Sequence, residues 1–229
     1  MNGKRLFTDE ELKEMGRRTL DVLMETIDAG DKEKAKELAQ RMYQEFNHLH
    51  DGYFTWVTGL QTYIYERLGV DALEEAERQA HTIESKIAFI PSGETDFRKR
   101  VEGMVGGLRG HLQPIEVKED DEKVTITMKP CGSGKRLIQM GGYNPEVGLG
   151  KVKEAHRITW GLKDFPMYCI HCPVMEALDI EATGDFSFCR FISDPIDKED
   201  CQFVFYKNPA DIPEEFYTRI GKQKPRRQG

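Results

Sequence analysis

The chain has 229 residues, 33 Lys and Arg against 40 Asp and Glu, a formal net charge of -7 and a mean hydropathy of -0.60. That length suits one large domain or two small ones, with a core that needs no disulfide staples. The acidic balance, with basic residues scattered among acidic ones, argues against nucleic acid as a partner. The compact basic run Lys222 to Arg227 reads as a solvated terminus.

No apolar stretch reaches 18 residues, so no membrane span is expected. The first residues turn acidic at Asp9-Glu10-Glu11 without an apolar run, unlike a signal peptide, and the expected compartment is a reducing cytoplasm. Five cysteines cannot all pair within one chain, which favours thiolate or metal chemistry over a disulfide framework.

In chain order, Thr8-Asp9-Glu10-Glu11 forms a capping box, and Leu12, Met15, Leu20, Leu23 and Ile27 follow at roughly helical spacing up to Ala29-Gly30. Asp31 caps a second helix with Ala35, Leu38, Met42, Phe46 and Leu49 on its stripe. Asp51-Gly52 separates it from a third, Tyr53 to Leu68, stopped by Gly69; Asp71 caps a fourth through Ile87. Four short-linked amphipathic helices predict an antiparallel helical unit. Pro91-Ser92-Gly93 breaks the pattern. Phe97 to His111 reads as a connector, because Gly103, Gly106, Gly107 and Gly110 each cost a helix about 1 kcal/mol relative to alanine.

From Pro114 the period becomes two. Val117, then Val124, Ile126 and Met128, predict half-buried strands around the turn Glu119 to Glu122. Pro130 to Arg136 is a glycine-rich loop. Lys151 to Ile158 reads as a short helix. Phe186 to Ile192 and Cys201 to Tyr206 are strands, and Pro213 starts a terminal helix. The fold class expected is α+β, with a helical region over 1–112 and a cysteine-bearing region with a mixed or antiparallel sheet over 113–229, the two compatible with one integrated domain.

The chemistry concentrates in Tyr168-Cys169-Ile170-His171-Cys172-Pro173. A Cys-x-x-Cys turn lets two sulfurs grip one metal, and Cys131 and Cys189 are candidates for two further ligands. His171 reads either as a ligand or as a general acid/base beside the metal. Buried inert thiols and a redox pair remain alternatives. Cys201 shares a strand face with Phe203 and Phe205 and reads as core. His156 is a candidate proton shuttle, and Glu181 and Asp185 are candidate general bases because they follow Cys172 closely. In the helical half, Glu45 with His48 and His81 with Glu84 are spaced to share a helix face, which leaves a second metal site open. Cys131-Gly-Ser-Gly-Lys-Arg lacks the spacing of a phosphate loop. The same residues look like the middle of the SEC-C zinc motif, but Lys129, Met140 and Gly141 stand where its other ligands belong.

Gly184-Asp185-Phe186-Ser187-Phe188-Cys189-Arg190-Phe191 resembles a C-terminal signature shared by two related groups. One is the vinyl-reductase-like small-molecule sensor domains; the other is the family named for L-2-amino-thiazoline-4-carboxylate hydrolase. The resemblance spans residues 165–206 and implies Cys189, Cys169 and Cys172 converging on a small-molecule pocket, with zinc in the sensor branch. Cys-x-His-Cys departs from that family's upstream cysteines. The resulting expectation is a metal-dependent, hydrolytic small-molecule enzyme with Cys131, Cys169, Cys172 and Cys189 on zinc, iron being the alternative. A non-catalytic sensor with a structural zinc and an iron–sulfur protein compete with it. The partners expected are a small-molecule ligand or substrate, with a homodimer left open.

Overall fold

The structure, a computed structural model, describes residues 6–87, 94–196 and 198–226. The break expected at Pro91-Ser92-Gly93, and residues Asp197 and Arg227, lie outside them. The protein is α+β. It divides into two compact units, Met1–Gly52 and Tyr53–Gly229. The division falls inside one long helix, whereas the change of residue period near 112 lies within the second unit.

In the first unit, α1 (Asp9–Met15) begins with the expected capping box, Thr8 and Glu11 exchanging hydrogen bonds. The single helix read up to Ala29 is two. Gly16 ends α1, and Arg18 is extended at the start of α2 (Thr19–Asp28), its guanidinium held by Asp21. Arg17 bridges Glu14 and Glu25 across the break. The opposite happens at Asp51-Gly52. There α3 (Lys32–Leu68) runs straight through the expected stop. One glycine costs a helix about 1 kcal/mol and cannot end it when good helix formers propagate from both sides.

In the second unit, Gly69, at φ +86, turns the chain from α3 into α4 (Val70–Ile87). The segment read as a connector is a helix, α5 (Phe97–Gly110), capped by Asp96. Among the described residues, nothing lies within 4 Å of where a Cβ on its glycines would stand, so they lie on the open side. Phe97, Val101, Met104, Val105 and Leu108 supply the packed side. Burial of that stripe offsets the glycine cost.

The sheet is antiparallel in the order β1 (Ile115–Glu119), β2 (Lys123–Met128), β6 (Gln202–Tyr206), β5 (Cys189–Phe191). Val124 faces Phe205, Ile126 faces Phe203, and Phe203 faces Arg190, which places all five on one side. The helix α5 packs there. Cys189 faces Val204 on the other side, in the larger core with Val174, Ala177 and Ile180 of α7 (His171–Thr183). The helix read over Lys151 to Ile158 is instead β3 (Lys151–Val152), paired with β4 (Phe165–Pro166), and a 3-10 turn Arg157–Thr159. Gly150 draws this segment against α3: its N–H donates to Thr62 Oγ1 at 2.9 Å, which favours extended pairing over a helix. The glycine-rich loop carries α6 (Gly134–Gln139), and α8 (Glu214–Thr218) is the expected terminal helix.

Candidate thiol–imidazole centre

The Cys-x-x-Cys stretch starts a helix. A 3-10 turn, Met167–Ile170, runs directly into α7, and Pro173 is tolerated because first-turn N–H groups have no intrahelical acceptor. Gly184, at φ +84, ends α7. Cys131 comes to this helix start through its loop. A Cβ on Gly134 would stand 2.6 Å from Cys169 Sγ, so only glycine lets the Cys131 loop approach so closely. Backbone N–H groups of Lys135, Ser133 and Gly134 hydrogen-bond the Cys131 sulfur.

Three of the four cysteines singled out in the sequence therefore converge, and Cys201 joins them. Burial pushes the Cys169 thiol far up, and the neighbouring Cys172, Cys131 and Cys201 sulfurs push it further. Burial raises Cys201 to about 12, with Cys131 and Cys172 adding to it. Burial also raises Cys131 and Cys172. All four are thiols at neutral pH, unlike the low-pKa cysteines of thioredoxin-like sites at helix starts. Ionising them requires positive charge beyond that of Arg190, which already acts on Cys169 and Cys172.

His171 is next to Cys172 in space as well as in sequence. Its Nδ1–H donates to the Tyr168 carbonyl at 2.6 Å, which leaves Nε2 as the acceptor, 3.4 Å from Cys172 Sγ. Burial, then the charge of Arg190, lowers His171 to about 4, so the ring is neutral at pH 7. Its ring centroid lies 6.2 Å from that of His81 on α4. His111, at the end of α5, is lowered by burial and by the charge His171 would carry.

Behind this pair stands a polar group that the sequence reading did not assemble. Arg190 is 6% exposed, and its guanidinium lies over Phe203 at 4.7 Å. Its Nη2 reaches Met175 Sδ at 3.7 Å and its guanidinium hydrogen-bonds the Cys172 sulfur, whereas among the described residues its Nε and Nη1 are buried without a hydrogen-bond partner. The same charge lowers the pKa of Cys172 against the effect of burial. On the helical side, Gln61 of α3 donates to Glu77 of α4 at 2.9 Å, and Glu77 lies 3.6 Å from His81 Nε2. Strand parity was the available signal for Arg190, a lone charge on the same side as Phe188.

Burial opposes charging of His81, but Glu77 and Glu84 outweigh it and raise its pKa to about 9. A group whose folded pKa exceeds its unfolded value of about 6.5 gives stability that is complete below that value and is lost as pH rises through the folded one. Unfolding free energy should therefore decline from about pH 6.5 to 9 in urea titrations, and His81→Gln should flatten that limb. An unchanged slope in the variant would show that His81 is not charged in the fold.

The other candidates sit elsewhere. Cys189 is fully buried on the opposite sheet face, where its charged neighbours are Glu176, Arg219, Asp185 and Asp179 rather than the other thiols. His156 caps the 3-10 turn, its Nδ1 accepting from the Ile158 N–H at 3.4 Å. Glu181 pairs with Arg78 and Lys222. Asp185 accepts from the Tyr217 hydroxyl and the Phe186 N–H. In the first unit, Glu45 accepts from Thr19 and Arg41. In the second, His81 and Glu84 are 2.9 Å apart.

Among the described residues, no group of three or more His, Cys, Asp or Glu side chains is drawn together as a ready metal cage. The donor set itself, thiols with a neutral imidazole, is one that zinc or iron accepts, and the bare backbone at Gly134 leaves the Cys169 sulfur its place. Holding the ion requires these sulfurs to close to about 2.3 Å from it. Among the described residues, no helix is long and apolar enough to cross a membrane. No protein-family model, curated protein or solved structure matches the chain.

Proposed function

We propose that this protein is a small-molecule enzyme carrying out a hydrolytic step on an anionic substrate at the Cys131–Cys169–Cys172–His171 centre. The observation that carries this reading is Arg190. A buried guanidinium whose Nε and Nη1 have no hydrogen-bond partner among the described residues costs several kcal/mol unless something answers it, and a carboxylate presents two acceptors in matching geometry. Such a group would be seated beside Cys172 and His171, the two residues best placed for chemistry.

Cys131, Cys169 and Cys172 are the proposed zinc ligands, with Cys201 a further thiol beside them and iron the alternative metal. When bound, the metal supplies a Lewis acid and the positive charge these thiols need to ionise. His171 holds an acceptor nitrogen at Nε2 with its tautomer set by the Tyr168 carbonyl. Arg190 orients the substrate, and the apolar walls of Phe203 and Phe188 exclude water from the guanidinium. The protein acts in the cytoplasm on this reading. The same group of residues in a non-catalytic sensor would bind the anion without turnover.

Elemental analysis of protein purified without added metal tests the metal. About one zinc or iron per chain is expected, falling to a trace in the Cys169→Ser/Cys172→Ser variant. Trace metal in the unaltered protein would remove the metal from the proposal, and visible absorption with inorganic sulfide would replace zinc by a cluster.

A further inference from the structure

The second-unit part of α3 is built inside out. Its buried side carries Phe54 but also Thr58, Gln61 and Thr62. The two threonine hydroxyls donate to the carbonyls one turn back, at 2.6 and 2.7 Å. Its open side carries Tyr53, Trp56, Leu60 and Tyr63, which are 57%, 64%, 52% and 61% exposed. A surface helix ordinarily shows the reverse distribution.

The spacing of these four, +3, +4 and +3, is the seam of a two-helix coiled contact, with a mean period near 3.5. Residues 53–65 contain no Asp, Glu, Lys or Arg, although 32% of the chain is charged. Depletion of charge together with enrichment in Tyr and Trp is the composition of a protein–protein interface core. A helix that lies on a lipid surface carries Lys and Arg along both edges, whereas residues 53–65 have none and the neighbouring Arg67 is drawn over the Tyr63 ring at 5.7 Å.

We propose that this face packs antiparallel against the same face of a second copy of the chain. A two-fold axis level with Thr58 sets Trp56 against the partner's Leu60 and Tyr53 against the partner's Tyr63, so that large side chains meet without stacking tryptophan on tryptophan. Gly59 lies beside Leu60, and the space where its Cβ would stand is open, giving room for the incoming indole. Aromatic side chains bury about 150–250 Å² each, so the exposed parts of the four residues amount to roughly 400–500 Å². A standard interface takes about 800 Å² from each partner, a little over half of it apolar. The stripe therefore matches the apolar centre of one such interface. The inference is independent of the chemistry proposed for the cysteines.

The full-length chain at micromolar concentration should sediment as a dimer of the 26.4 kDa protomer. Trp56→Glu should raise its dissociation constant at least about 30-fold with an unchanged circular dichroism spectrum. Under mild oxidant, the Tyr53→Cys/Tyr63→Cys double variant should cross-link to a covalent dimer on a non-reducing gel, whereas either single variant should not. The inference is overturned by a monomer at all concentrations, by a dimer that Trp56→Glu leaves intact, or by cross-linking of a single variant. It is equally overturned if the unaltered chain stays monomeric and instead co-sediments with phosphatidylcholine vesicles.

Discussion

Replacing Glu176 by alanine should lower the unfolding free energy by about 3–5 kcal/mol. Glu176 is fully buried on α7 and joins three elements. Its carboxylate accepts from Trp160 Nε1 at 2.6 Å, from the Arg190 backbone N–H at 2.6 Å, and from Arg219 Nη2 at 2.8 and 3.0 Å. Arg219 in turn lies over the Trp160 and Phe216 rings and donates to the Arg190 carbonyl. Burial raises the Glu176 pKa, and the charges of Arg219 and Arg190 work against that rise. Alanine leaves the Arg219 guanidinium, which is only partly exposed, without its countercharge, and leaves the Trp160 and Arg190 donors without their acceptor, which is why one truncation costs so much. The double variant Glu176→Leu/Arg219→Met removes both charges and should recover most of the loss, as apolar replacements of buried ion pairs commonly do. Urea denaturation measures both. A loss below about 1 kcal/mol in Glu176→Ala would mean that the network does not hold β5 to α7.

His171→Gln should lower kcat by roughly 10²–10⁴-fold, the range for a general acid or base. Glutamine can keep the donor to the Tyr168 carbonyl but cannot take up a proton, so the fold should survive while proton transfer is lost. Arg190→Leu separates binding from chemistry. It removes the two unpartnered donors, and KM for a small carboxylate-bearing amide should rise much more than kcat falls. The assay uses a panel of such amides with their methyl esters as neutral controls. Arg190→Leu should erase the preference of the unaltered protein for the free acid. A preference that survives this substitution would remove Arg190 from the site. Binding of the acid without turnover, in a protein whose binding Arg190→Leu abolishes, would instead favour the sensor reading.

The legible parts of the fold were those determined by local periodicity. The capping box at Thr8, the strands around Glu119 to Glu122 and the stop at Gly69 follow from residue order, because each is satisfied within a few residues of itself. Helix ends at Gly16 and Gly52 show where that logic stops. The two glycines differ little as isolated residues, yet one ends a helix and the other does not, since propagation depends on what lies on both sides. In α5 the four glycines argued against a helix, and the packed stripe from Phe97 to Leu108 decided for one.

The candidate centre divides in the same way. The sequence by itself singled out Cys169, His171 and Cys172 as a candidate centre, since three ligand-type side chains stand within four residues, and it offered Cys131 through its glycine loop. Parity along β6 already placed Cys201 on the side of Phe203 and Phe205. Tertiary structure alone decided that this side meets the start of α7, and that Cys189, one register away, faces Glu176 instead. It also brought Arg190 from β5, and His81 and Glu77 from α4, to the thiols. Spacing in a sequence reports which side chains share a face, because backbone geometry repeats over two or 3.6 residues. Which faces then meet is settled by the burial of whole elements against one another, and no local pattern carries that information.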